Sequence, residues 1–256
     1  MSTEPAALLD KRDGIAVITL NRPEVKNCCN NAMAVALQDI MDEIDDDRRC
    51  FAAVIHGAGG NFSTGADLKE AASGVKRSKL RRGGFGCFMH PLRKPLIAAV
   101  EGYAVGGGFE LCLTADMVVA ASNAKFGLPE VRHNLVAVGG GLFRLPKKIP
   151  YNIAFEMALT GQIHDAGFLQ PYGILNRVVE PGAALQAALE LARALLANGP
   201  MALAASKRIM SKAFEWPELE AWENQAPIAQ VAFNSRDRTE GLQAFAAKRA
   251  PVWSGE

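Results

Sequence analysis

The stretch Leu96–Ala115, LIAAVEGYAVGGGFELCLTA, decides how this chain folds. Leu96–Gly102 is a short β-rich run, Gly106-Gly107-Gly108 interrupts it, and the residues up to Ala115 read as helix. A strand that ends in glycine and turns directly into a helix is the joint of an alternating α/β fold. A second joint lies upstream: Ala52–His56 reads as a strand and enters the glycine-rich loop Gly57–Gly65. Asp67 is placed there to cap a helix, with Glu70 three residues on as the partner of a capping box. A third segment, Phe126-Gly127-Leu128-Pro129-Glu130, follows the strand Met117–Ala121.

Outward from these joints the alternation continues. Gly14–Leu20 reads as a strand and Asn21-Arg22-Pro23-Glu24 as a turn. Met33, Leu37, Ile40, Met41 and Ile44 recur at helical spacing between Asn31 and Asp47. Helices are expected around 151–159 and 165–169, and a strand over Ile174–Glu180. Beyond Gly182 the pattern is helical throughout, over 182–197, 201–214, 218–233 and 237–248, with breaks at Asn198-Gly199-Pro200 and Trp216-Pro217. The expected division is a core over 1–197 and a helical region over 198–256.

Composition narrows the function. Of 256 residues, 49% are hydrophobic and 21% charged, which fits a globular protein and excludes wholesale disorder. The net charge of +1 gives no basic field to attract nucleic acid. Five cysteines, at 28, 29, 50, 87 and 112, form no CxxC pair, so neither a disulfide framework nor a zinc site is expected, and a reducing cytoplasm fits best. Met1–Pro5 lacks the basic and apolar regions of a secretory signal, and no apolar stretch reaches bilayer length, so no membrane partner is expected. Gly74–Gly84 (GVKRSKLRRGG) carries five basic residues and reads as a solvated loop, with a cover over an anionic ligand as the sharper alternative.

The first two joints share a chemistry. Backbone N–H groups at a helix start lack internal partners and carry the positive end of the dipole. Two such ends face to face would form a two-donor pocket for a developing oxyanion, and the candidate donors are Ala66 and Gly107. Tight turns alone would also explain the glycines. Neither glycine run satisfies GxGxxG and no Walker A pattern occurs, so a nucleotide cofactor is not expected. Glu110 and Glu130 form a candidate acid–base pair, one taking a proton from water while the other delivers one to carbon. Helix-dipole stabilisation of Glu110 and simple exposure of Glu130 are the plainer explanations. His56, His90 and His164 read as structural or solvated, His133 falls near enough to Glu130 to line the same pocket, and Trp216, Trp222 and Trp253 read as packing residues.

These segments resemble the enoyl-CoA hydratase/isomerase (crotonase) superfamily. GGGFEL, with FGLPE placing Glu130 twenty residues after Glu110, resembles the hydratase spacing of two catalytic glutamates, and STGADLK resembles the first oxyanion loop. The resemblance runs from LNRPEVKN (20–27) to EGLQAFAAKRAPVW (240–253), and GGFELCLTAD, FRLPKKIP and AFAAKRAPVW look closest to its carnitinyl-CoA dehydratase (crotonobetainyl-CoA hydratase) and general enoyl-CoA hydratase branches. It implies an α/β fold, a crotonase-like spiral of ββα units with an α-helical C-terminal trimerisation region, assembling as a homo-trimer or dimer of trimers. It implies hydration of an acyl-CoA thioester, with coenzyme A as part of the substrate and no other cofactor or metal. Its carbonyl oxygen would rest between the N–H groups of Ala66 and Gly107, with Glu110 and Glu130 catalytic. Asp67, Leu68 and Lys69 match positions beside the CoA, and Phe245 and Lys248 match positions that reach the CoA of a neighbouring subunit.

Some positions depart from the family pattern. Asn134 stands for a glycine, Ala137 for a proline and Val138 for a glycine near the attacking water; Thr64 stands for a small alanine and Cys28-Cys29-Asn30 for Ala-Leu-Ser/Asn. Thr64, Asn134 and Val138 are therefore expected to shape the pocket. Two rivals to hydration remain at this stage: double-bond isomerisation or another enolate step on one glutamate, and an acyl-CoA-binding or assembly subunit with feeble catalysis.

Overall fold

The computed structural model describes residues 4–76 and 78–256; Met1–Thr3 and Arg77, and with them part of the N-terminal reading and of the basic loop, lie outside the described residues. Among the described residues nine strands and ten α-helices follow one another. In chain order they are β1 (Ala7–Arg12), β2 (Ile15–Leu20), α1 (Asn31–Asp46), β3 (Ala52–Gly57), α2 (Leu68–Ala72), β4 (Leu96–Val100), β5 (Tyr103–Val105), α3 (Gly107–Thr114), β6 (Met117–Ala121) and β7 (Lys125–Gly127). There follow α4 (Gly141–Arg144), α5 (Tyr151–Thr160), β8 (His164–Asp165), α6 (Ala166–Leu169), β9 (Arg177–Val179), α7 (Ala184–Leu196), α8 (Pro200–Lys212), α9 (Glu218–Phe233) and α10 (Arg236–Ala246).

The strands form two sheets. The larger has the order β1-β2-β3-β4-β6-β9, antiparallel only at β1–β2; the smaller has the order β5-β7-β8. The alternation of side chains along each central strand divides the core in two. Ile15, Val54, Ile97, Ala99 and Val119 face α7, whose Ala184, Ala188 and Ala192 recur every four residues and let the helix lie close on the sheet. Ile18, Ile55, Ala98 and Val100 face the other way, toward Met33, Leu37, Met41 and Ile44 of α1 and Phe126 of the small sheet. Burial on both faces is why these strands read as apolar runs rather than alternating ones.

Three expectations need correction. The cap of α2 is half a capping box: Asp67 accepts from the N–H groups of Lys69 and Glu70 at 3.2 Å each, but Glu70 accepts from Asn31 N at 2.8 Å. The Asp67 N–H is already committed to the Cys29 carbonyl at 2.9 Å. The basic loop is not simply solvated. Arg82 is buried and paired with Asp42 at 2.7 Å and Asp45 at 2.6 Å on α1, and Arg81 also pairs with Asp42. Trp222 is exposed rather than packed, whereas Trp253 does pack, against Gly199 and Gly241. His164 lies in β8 and stacks on Phe168.

Arg82 also donates to the carbonyls of Met41, His90 and Pro91, so it ties both ends of the 82–91 loop to α1. Removing one partner of a buried, hydrogen-bonded ion pair typically costs about 3–5 kcal/mol. Arg82→Met is expected to cost about 3 kcal/mol, the lower end of that range, because Arg93 still approaches Asp45. Urea denaturation checks this; an unchanged midpoint would show that the pair does not hold the loop.

Candidate active site

Two backbone segments meet at one point. Ser63 N donates to Tyr103 O at 2.8 Å and Val105 N donates to Ser63 O at 3.1 Å, pairing the end of the first glycine loop with β5. Each segment then turns, one into Ala66 and the other into Gly107, the first residue of α3. The contact is close enough that a Cβ on Gly65 would come within 2.9 Å of Gly107 N. Neither the Ala66 N–H nor the Gly107 N–H has an acceptor among the described residues, and both residues line the same cavity of about 870 Å³. A side chain on Gly107 would strike the Phe85 ring at 2.5 Å, so glycine is required there for close approach.

Glu110 and Glu130 line this cavity too. Glu110 is only 4% exposed, in the first turn of a helix whose eight residues are all buried. Its Oε1 accepts from Gly141 N at 2.9 Å. The turn that delivers this amide passes so near the carboxylate that a Cβ on Gly139 would lie 2.5 Å from Oε2. Arg144 holds the same turn through Gly139 O at 2.9 Å. Glu130 sits in a short 3-10 turn, Pro129–His133, opposite; its Oε2 is buried without a partner.

The surroundings of the two carboxylates differ. Burial raises the pKa of each. For Glu110 the amides of Gly141 and Gly139 and the charge of Arg144 pull it back. For Glu130 its own backbone amide pulls back, and the nearby Glu110 charge pushes it further up. Of the two, Glu110 is the better-supported anion and Glu130 the better-supported neutral acid.

The expected site residues divide into three groups. Thr64, Ala66, Leu68, Gly107, Glu110, Glu130, His133 and Val138 all line the cavity. Val138 is 86% exposed, so it stands at the rim and does not wedge between the carboxylates. Asn134, Asp67 and Lys69 are not brought to the cavity wall. Asn134 acts through its backbone, closing the 3-10 turn with a φ of +54°. Asp67 is occupied by the α2 cap and by Arg22 at 3.0 Å, and Lys69 points into solvent. Phe245 and Lys248 lie at the end of α10, outside the wall that this chain builds. The basic loop does wall the cavity, through Ser78, Leu80, Gly83 and Gly84 rather than through Arg81 or Arg82.

Sequence reading missed four contributors. Asn27 is fully buried and ties the first loop together, donating to the carbonyls of Ala58 and Asn61 at 2.8 and 2.7 Å while accepting from Arg22 N. Arg144, Phe85 and Phe88 support or line the cavity. The glycines around Phe85 were the one available signal. Among the described residues no group of three or more His, Cys, Asp or Glu is placed to hold a metal ion, and no helix is long and apolar enough to cross a membrane.

Residues 10–256 match the family model for enoyl-CoA hydratase/isomerase. The chain is 38% identical over 254 residues to an enoyl-CoA hydratase of Mycobacterium tuberculosis, covering 96% of each. It is 40% identical over 255 residues to a carnitinyl-CoA dehydratase of Salmonella typhi, covering 96% of this chain and 97% of that one. A crystal structure of an enoyl-CoA hydratase from Mycobacterium tuberculosis superposes with a TM-score of 0.95 at 46% identity, covering 99% of this chain and 100% of that one. The chain therefore belongs to the enoyl-CoA hydratase/isomerase family and has the crotonase fold.

A carboxyl whose folded pKa is raised contributes stability that is present below its unfolded pKa and lost as the pH rises through the folded one. Burial raises Glu130 in this way. Glu130→Gln is therefore expected to melt higher than the parent at pH 8, with a smaller gap at pH 5. Each 1 kcal/mol relieved is worth about 2–4 °C in a chain of this size. Equal gaps at both pH values in thermal melts would sink this assignment.

Proposed function

From the family and from two buried carboxylates around one cavity, we infer that the chain is an enoyl-CoA hydratase. It adds water reversibly, with syn geometry, across the double bond of a 2-enoyl-CoA thioester; the reverse reaction is the dehydration named for its carnitinyl-CoA dehydratase relatives. Coenzyme A enters as part of the substrate. The observation that carries the reading is the convergence of Glu110 and Glu130 on the cavity that also holds the free amides of Ala66 and Gly107.

The chemistry runs as follows. The thioester oxygen accepts from the N–H groups of Ala66 and Gly107. Glu110, held as an anion by the Gly141 amide, takes a proton from water as the oxygen attacks C3. The electron pair of the double bond moves through C2 onto the thioester oxygen, and the two amides stabilise that charge. Glu130, protonated, delivers its proton to C2 and the carbonyl re-forms. Water's two hydrogens are thus accounted for, one on the new hydroxyl and one held by Glu110, and proton exchange with solvent resets the pair. Isomerisation on one glutamate would leave the buried second carboxylate unexplained.

Leu219, Trp222, Leu242 and Phe245 are exposed on α9 and α10, and Phe214 is exposed in the turn between α8 and α9. We propose that this helical region, 198–256, is an oligomerisation unit apart from the 1–197 core, making a homo-trimer or a dimer of trimers and bringing Phe245 and Lys248 to a neighbour's CoA. Light scattering should give a mass that is a multiple of three chains; a monomer would overturn this assembly.

Mass spectrometry of a crotonyl-CoA reaction should show the gain of one water. Glu110→Gln and Glu130→Gln should each slow turnover roughly 10²–10⁴-fold. The kcat/KM profile should be bell-shaped, falling at low pH as Glu110 is protonated and at high pH as Glu130 is deprotonated. Solvent deuterium entering the acyl chain with no gain of water would replace hydration by isomerisation.

A further inference from the structure

The segment Gly83-Gly84-Phe85-Gly86 holds Phe85 at a φ of +53°, a left-handed backbone that a phenylalanine seldom adopts. The ring accounts for it. Its Cζ lies 2.5 Å from where a Cβ on Gly107 would begin, so the phenyl rests flush on the glycine whose amide faces the cavity. Phe85 stacks on Phe88 with centroids 4.7 Å apart and planes 22° from parallel. Phe88 in turn lies on Gly139: its Cε2 is 2.4 Å from the Cβ position there, which Glu110 Oε2 approaches at 2.5 Å. The stacked pair therefore spans the distance from the Gly107 amide to the Glu110 carboxylate.

This pair is braced from behind. Arg144 donates to Phe88 O at 2.5 Å and to Gly139 O at 2.9 Å, locking the ring-bearing backbone to the glycine that the ring covers. Arg82 holds the other end of the loop through His90 O at 3.1 Å. A ring packed flush on glycine and clamped at its backbone has little room to retreat.

We propose that the Phe85–Phe88 stack is the specificity wall of the acyl site, laying the enoyl plane between Gly107 and Glu110 and refusing a second substituent on C3. The proposal rests on the hydratase reading. Conjugation keeps an enoyl thioester flat from its carbonyl oxygen to C3, so C3 offers two in-plane positions. One can point to the open side, where Leu135 and Val136 are exposed; the other meets Phe88. Straight-chain 2-enoyl thioesters fit this wall, and 3-methyl-branched ones do not.

The test compares the wild type with Phe88→Ala and the milder Phe88→Leu, on crotonyl-CoA against 3-methylcrotonyl-CoA by rate, and on butyryl-CoA against 3-methylbutyryl-CoA by calorimetric Kd. A methyl group is worth roughly 10–200-fold in discrimination by an apolar pocket. In a variant that melts as a folded protein, the preference for the unbranched member should narrow by about tenfold in both kcat/KM and Kd. Unchanged ratios in both measurements for either folded variant would overturn the wall. If the wild type hydrates neither thioester, it is the hydratase reading that fails, and the Kd ratios still decide the wall.

Discussion

The site depends on a two-bond ladder, Ser63 N to Tyr103 O and Val105 N to Ser63 O. It joins two strand-to-helix turns that are forty residues apart in sequence. Without it Ala66, the residue before the Asp67 cap of α2, and Gly107, the first residue of α3, would not be held side by side. The ladder holds because both its sides are anchored. β5 pairs with β7, and the Ser63 hydroxyl donates to Asn27 O at 2.8 Å, beneath a buried asparagine that satisfies the carbonyls of Ala58 and Asn61. Buried polar groups of this kind are costly if left unpaired, so the network admits essentially one arrangement of the loop.

Burying a carboxylate in α3 runs against the composition of that helix, which is otherwise apolar and fully enclosed. The burden is met unequally. Glu110 has a helix N-terminus, the Gly141 amide and a nearby arginine; the buried oxygen of Glu130 has nothing. Burial raises the pKa of both side chains, and the supports around Glu110 favour its anion more than those around Glu130 do. The amides among those supports do not titrate and do not compete with the pair for protons.

The sequence exposed the long, periodic and glycine-bounded parts of this arrangement. α1 showed through Met33, Leu37, Ile40, Met41 and Ile44, all buried on one face. The helices from α7 to α10 showed for the same reason, bounded by Pro200 and Pro217. β5, β7 and β8 did not show, since two or three residues carry no period, although β5 carries the ladder. β1 escaped because ALLDKR is mostly exposed at a sheet edge. The supporting residues escaped for another reason. Arg82 reads only as one charge of a solvated loop and Arg144 carries no signal of its own, and only folding reveals that their guanidinium groups are spent on carbonyls and, for Arg82, on α1 carboxylates.

The departures from the family pattern show the same limit from the opposite side. Asn134 in place of glycine looks disruptive, yet its φ of +54° is the one conformation in which asparagine most readily replaces glycine. The turn after Glu130 is thus preserved while its sequence changes. Val138 looks like a branched side chain driven into a water site, yet it projects from the rim, and the residue that must remain small is its neighbour Gly139, caught between Glu110 and Phe88. A substitution matters here according to where its Cβ points, and an alternation of one residue is enough to move it from the carboxylate to solvent. The two carboxylates are therefore insulated from the variation at both positions, because Asn134 keeps the turn through its backbone and Val138 changes only the rim of the cavity.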